Sequence, residues 1–333
     1  MAAHSADRRF DVIAIGNAIV DVMAPATDDQ IEALGLAKGG MTLVDAARAG
    51  ALYAAMGPAR EISGGSAANT LAGMAALGAS CAFIGQVADD QFGRVFAHDI
   101  RAGGIAFDIP ARAGEPATAQ CLIFVTPDGQ RTMNTFLGAS QFLPADALDD
   151  GLIQSARVLY LEGYLWDPEE PRAAMRKAIA AARAAGTQVA FTLSDAFVIA
   201  RHGDDFRALI ADGQIDILFA NEHELAALTG KDDFHEGMVQ LCALVPTVVV
   251  TRSEKGAHAR HAGEDAHVPA EPIDHVVDTT GAGDLFAAGF LTGHVRGESL
   301  TECLRLGAVC AAEIISHYGA RPEADLKALT GLK

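Results

Sequence analysis

Short apolar runs and longer stretches with helical spacing alternate along most of the chain. The runs at residues 10–15, 81–84, 158–161, 189–193, 217–219 and 248–251 are rich in Val, Ile, Leu and Phe and read as strands. Between most of them apolar residues recur three to four positions apart, at 67–77, 92–102, 171–185, 222–229 and 236–244. Strand–helix alternation of this kind predicts an α/β fold: a mostly parallel sheet with helices on both faces. Residues 282–296 and 300–316 read instead as two long helices in succession.

Segments around residues 20–24, 41–44, 105–109, 120–125 and 132–136 break the alternation. They are short, strand-like and bounded by Gly, Pro and Asp, and Pro127-Asp128-Gly129 is a turn signal between the last two. They predict a second, hairpin-rich sheet, built from discontinuous pieces near 17–25, 38–63 and 105–137 and placed to cover a site at the edge of the main one. No Pro- or Ser-rich linker intervenes, so residues 1–333 are expected to form one domain with this small sheet as a lid.

Composition narrows the function. With 333 residues, half of them hydrophobic and a fifth charged, the chain suits a globular fold with a large core. A net charge of −18 argues against nucleic-acid binding, which needs a basic surface. Phosphorylated small molecules remain open, because backbone amides and Mg²⁺ hold phosphate locally. Cys81, Cys121, Cys242, Cys303 and Cys310 include no C-x-x-C pair, so reduced thiols in a cytoplasmic protein are expected. Cys303 and Cys310, two helical turns apart, fit a buried stripe. The polar start Met1 to Arg9 has no apolar core, and no run of about 18 apolar residues occurs, so neither an export signal nor a membrane span is expected.

The most informative motif is Asp278-Thr279-Thr280-Gly281-Ala282-Gly283-Asp284, with a helical pattern directly behind it. Small residues at a helix start leave backbone N–H groups free to face an anion, and the helix dipole adds to their pull. Asp284, on the first turn, would then stand beside the anion and could take a proton from an attacking hydroxyl. An ordinary N-cap with small residues for packing is the alternative. The dipole favours the ionised form of Asp284 and predicts a weak base.

Other elements are weaker singly. Ser63-Gly64-Gly65-Ser66-Ala67-Ala68-Asn69 puts two glycines before a helix, with Ser66 as expected N-cap and Asn69 one turn in. Gly16-Asn17-Ala18-Ile19-Val20-Asp21 follows the first strand, where ligands of parallel sheets bind, and Asp21 could accept two vicinal hydroxyls. Asn221 and Glu224 share the first turn after another strand. They could order Mg²⁺ waters around phosphates, or simply form a capping box. Thr251, Ser253 and Gly256 lie in a post-strand loop that could meet a nucleotide. There is no G-x-x-x-x-G-K-[ST] and no G-x-G-x-x-G after the first strand.

Taken in this order, the motifs resemble the PfkB, or ribokinase-like, family of carbohydrate and nucleoside kinases, over roughly residues 10–322. The resemblance implies a ribokinase-like fold and an ATP- and Mg²⁺-dependent phosphotransferase with Asp284 as base. Gly281, Ala282 and Gly283 would form the anion hole. Asn221 and Glu224 would order Mg²⁺ and phosphate, while Thr251, Ser253 and Gly256 would line the ATP side. Asp278 and Thr280 match positions that hold K⁺ in some members, joined there by the 316–319 loop. Within the family the chain is most similar to adenosine kinases. That likeness assigns Asn17, Asp21, Gly64, Gly65 and Asn69 to the nucleoside's ribose, Tyr164 to its base, and Arg131 to a lid arginine that neutralises phosphate. The expected reaction is phosphorylation of adenosine at its 5′-hydroxyl, a step of purine salvage, by a monomer or a homodimer. A sugar kinase of the same fold, acting on ribose or fructose, is the nearest alternative; a catalytically silent binding module and a dinucleotide-dependent oxidoreductase are more remote.

Overall fold

The computed structural model describes residues 8–332. Most of the polar start that was read as carrying no export signal lies outside them. Among the described residues thirteen strands form two sheets: β1 (Phe10–Ile15), β2 (Ile19–Pro25), β3 (Met41–Leu43), β4 (Arg60–Gly64), β5 (Cys81–Ile84), β6 (Ala119–Val125), β7 (Arg131–Phe136), β8 (Ala156–Glu162), β9 (Gln188–Thr192), β10 (Ile217–Asn221), β11 (Thr247–Thr251), β12 (Ala257–His261) and β13 (Glu264–Val268). The main sheet runs β13-β12-β11-β10-β9-β8-β1-β5 and is parallel from β11 to β5. Only the β12–β13 hairpin joins it antiparallel, at one edge.

Both faces of its parallel part are buried, which is why those strands read as continuous apolar runs. Alternate residues serve different cores. Val12, Ala14, Val158 and Tyr160 pack with the Ser66–Ala76 and Ala282–Arg296 helices, and Ile13, Ile15, Leu159 and Leu161 with the Glu169–Ala185 and Ala196–Ala211 helices. The two final helices, Ala282–Arg296 and Leu300–Ile314, pack closely. A Cβ on Gly289 would lie 2.3 Å from the carbonyl oxygen of Leu306. Cys303 and Cys310 are buried on the second of them, and all five thiols are free.

The second sheet runs β3-β7-β6-β2-β4. The turn at Pro127-Asp128-Gly129 joins β6 to β7, which pair antiparallel from Val125↔Arg131. Its strands alternate as one-sided strands should. Val20, Val22, Leu122 and Phe124 join the core that includes Ala49 and Leu52 of the Ala46–Ala55 helix. Ile19, Asp21, Cys121, Ile123, Met133 and Thr135 face the cavity between the sheets.

One segment differs from expectation. Residues 105–109 belong to the main sheet's edge, not to the second sheet: Phe83 N–H donates to Ala106 O at 2.8 Å and Ala106 N–H to Cys81 O at 3.0 Å. After the Gln91–Ala102 helix the chain returns beside β5, as a crossover connection would. The Ala196–Ala211 helix, β4 and the β12–β13 hairpin were not anticipated. His202-Gly203-Asp204-Asp205 interrupts the apolar spacing of the first.

Candidate active site

A cavity of about 1020 Å³ opens beyond the carboxyl ends of the parallel strands, with the lid sheet as its other wall. That is the upper end of the size of a small-molecule site, about 300–1,000 Å³.

At its centre is the start of the Ala282–Arg296 helix. Gly281, the N-cap, is left-handed with φ 79°, and a Cβ there would also press on Ala320 at 2.8 Å. A Cβ on Gly283 would project into open space, so the backbone beside the first-turn amides is uncovered toward the cavity. That is the anion-binding corner expected of residues 281–283. Asp284 is held from the facing helix: Ser66 Oγ donates to Oδ1 at 2.6 Å and Asn69 Nδ2 to Oδ2 at 3.0 Å. Ser66 is therefore not the N-cap of its helix, a position held by Gly65; its hydroxyl is committed to Asp284. Burial raises the pKa of Asp284 above its ordinary value, against the two hydrogen bonds and the charge of Arg321. The dipole argument predicted a weaker base; desolvation outweighs it.

The acceptor side assembles from three separate segments, residues 17–21, residues 64–69 and the end of β8. Asp21 faces the cavity from β2, and burial lifts its pKa to about 6, with Arg131 and Arg321 pulling it down. Gly64 does not line the cavity but makes room for Asp21: a Cβ there would meet its Oδ2 at 2.5 Å. Gly65, at φ 97°, lies against Asn17, whose carbonyl oxygen would be 2.1 Å from an added Cβ. Asn17 itself is fixed by Glu162, fully buried at the end of β8. Asn17 N–H and Nδ2 donate to Glu162 Oε1 at 2.7 and 2.6 Å, and Ala67 N–H donates to Oε2 at 2.8 Å. Burial raises Glu162 to about 7 in spite of these donors. Sequence reasoning passed over Glu162, although its place at a strand's carboxyl end was a usable signal. Asn69 Oδ1 is buried without a protein partner and is free to accept a hydroxyl.

On the far side of the anion corner, Asn221 and Glu224 form the capping box that was the alternative reading. Asn221 Oδ1 accepts from the N–H groups of His223 and Glu224, while Glu224 Oε2 and Oε1 accept from Asn221 N–H and Nδ2. Both also line the cavity, and burial raises Glu224 to about 7. Among the described residues no group of three or more His, Cys, Asp or Glu could hold a metal. An oxygen pair touching a metal through water fits Mg²⁺ carried by a nucleotide, which keeps several waters.

Thr251, Ser253 and Gly256 line the next part of the wall. Small and apolar groups continue it, among them Ile273, Val276, Ala308, Ala312 and Ile315, a slot that no motif announced. Tyr164 also lines the cavity, its ring 6.0 Å from that of Phe197. Thr280 lines the cavity, and its N–H donates to Asp278 Oδ1 at 3.0 Å. Arg131 and Asp278 stand behind the wall, both buried and paired with each other. The arginine assigned to phosphate thus lies on the carboxylate assigned to K⁺.

Residues 55–326 match the model of the pfkB family carbohydrate kinases. The chain belongs to this family. It is a phosphotransferase that uses ATP and an alcohol acceptor. A fructokinase from Klebsiella pneumoniae is 30% identical over 237 residues, covering 70% of this chain and 77% of that one. Among solved structures, the adenosine kinase from Sinorhizobium meliloti is 46% identical with a TM-score of 0.89, covering 96% of this chain and 98% of that one. A probable sugar kinase protein from Rhizobium etli is 43% identical with a TM-score of 0.90, covering 98% and 100%. Among the described residues no helix is long and apolar enough to cross a membrane.

Proposed function

We propose that this kinase phosphorylates the 5′-hydroxyl of adenosine, giving AMP and ADP in the cytoplasm as a step of purine salvage. One observation carries the choice of a nucleoside over a bare sugar. Past the hydroxyl-reading groups Asp21, Asn17 and Asn69, the cavity continues along the lid face formed by Ile19, Cys121, Ile123 and Met133, with Met41 and Leu43 at its edge. A sugar offers nothing apolar to cover that face, and a purine does. The 46% identity to an adenosine kinase supports the same reading.

In this reading Asp21, Asn17 and Asn69 take the ribose hydroxyls. The 5′-oxygen attacks the γ-phosphorus of ATP, the bond to the bridging oxygen of ADP breaks, and the hydroxyl proton passes to Asp284. The amides at residues 281–284 hold the charge on the transferring group, and positioning and electrostatics do most of the work in so loose a transition state. Asn221 and Glu224 would hold the waters of a Mg²⁺ ion brought with the nucleotide, which would supply positive charge to the phosphates. ATP's base would lie in the slot beyond Thr251, Ser253 and Gly256.

The second reading is a sugar kinase, favoured by the fructokinase among its relatives and by hydroxyl-reading groups that suit any polyol. ADP release measured across adenosine, guanosine, inosine, ribose and fructose decides between them. Adenosine should give the highest kcat/KM; a preference for fructose or ribose overturns the proposal.

A further inference from the structure

Arg131 is the first residue of β7, directly after the lid's hairpin turn. Its side chain leaves the lid and its Nη1 donates to Asp278 Oδ2, 147 residues away. Both side chains are buried, at 6% and 4% exposure. The carboxylate is otherwise surrounded by backbone donors: Thr280 N–H gives to Oδ1 and Gly319 N–H to Oδ2, each at 3.0 Å. The segment is tied further by Val277 N–H donating to Ile315 O at 2.8 Å. The hairpin tip rests on the same loop, since a Cβ on Gly129 would be 3.0 Å from Tyr318 Oη.

A monovalent cation does not fit here. A guanidinium is already in contact with Asp278 and takes the place beside the carboxylate that such a cation would need. A second cation beside the buried guanidinium would meet unscreened repulsion. We propose that Arg131 is this chain's built-in monovalent cation. Its guanidinium neutralises Asp278, orders the 278–281 segment next to the anion corner without added K⁺, and ties the lid to that corner by the same bond. The inference rests on the kinase reading only for the meaning of the anion corner, and its test needs no turnover.

The test is the melting temperature of the whole chain in KCl, NaCl and tetramethylammonium chloride at equal ionic strength. The wild type should melt within about 1 °C in all three. Arg131→Met leaves Asp278 buried and unpaired. It should melt about 5–10 °C lower in tetramethylammonium and recover a good part of that loss in KCl alone. Arg131→Met combined with Asp278→Asn should lose the recovery. A wild type stabilised by K⁺ over tetramethylammonium overturns the proposal, as does an Arg131→Met chain indifferent to the cation. If Arg131→Met does not fold, Arg131→Lys, which keeps the charge, takes its place. Indifference to K⁺ in wild type and Arg131→Lys alike supports the proposal, and a K⁺ response in either sinks it. Failure of the kinase reading would show separately, as absence of ADP release.

Discussion

The anion corner and the acceptor floor face each other across a few ångströms but are made differently. The corner is one uninterrupted piece of chain, Gly281 to Asp284, and its working groups are mostly backbone. The floor gathers side chains from the β1–β2 loop, β2, the Ser66–Ala76 helix and β8, with Asn17 and the helix start leaning on Glu162 and Asn69 on Asp284. A device built from backbone tolerates nearby change as long as the helix starts where it does. A device built from leaning side chains fails by dominoes.

Substitutions can break this contrast. Asp284→Ala has the largest expected effect, on kcat: a fall of about 10²–10⁴-fold. Nucleoside affinity should stay within a few-fold, measured by initial rates and equilibrium binding; near-normal turnover would remove Asp284 from the chemistry. Asp21→Ala should raise KM by about 10–100-fold, because it strands ribose hydroxyls without a partner. Unchanged KM would undo the floor's assignment. The floor should also show in the pH profile. Asp21 accepts two vicinal hydroxyls, one on each oxygen, only when ionised, and with its pKa near 6 the acid limb of kcat/KM should fall as pH drops through about 6. An acid limb near pH 4 would mean that Asp21 does not read the acceptor.

Glu162 gives the smallest and sharpest test. Its folded-state pKa is raised from 4.5 to about 7, so the unfolded chain releases this proton first. Stability from this group is therefore greatest below about pH 4.5 and is lost as pH rises through about 7. Glu162→Gln copies the protonated form. Between pH 5 and pH 8 the wild type should lose about 1–3 kcal/mol more stability than the variant does, read from denaturant unfolding. Equal slopes would mean that Glu162 titrates normally.

The same contrast decides what could be read in advance. Helix Ala282–Arg296 and strands β1 and β5 were legible to the residue, because their signals are local. Asn17, Asp21, Asn69 and Asp284 were legible as candidates through the family likeness, and the cavity gathers them. What escaped was who holds whom. Ser66 looked like a cap and instead holds Asp284, and Gly64 looked open to a ligand and is filled by Asp21. Glu162 gave no pattern at all, because its three donors come from residues 17 and 67. The basicity of Asp284 was misjudged for a related reason: a dipole is visible in a sequence, and the walls that strip water from a carboxylate are not. The fate of residues 105–109 also hung on a distant partner, β5, rather than on their own composition.

The Ser66–Asp284 contact bears on how the base is presented to an acceptor. Ser66 and Asn69 each take one carboxylate oxygen, which pins the plane of the group. A carboxylate has further lone pairs to offer, so an incoming hydroxyl can bind without displacing either donor. Removing the serine hydroxyl should therefore loosen the aim of Asp284 rather than free it.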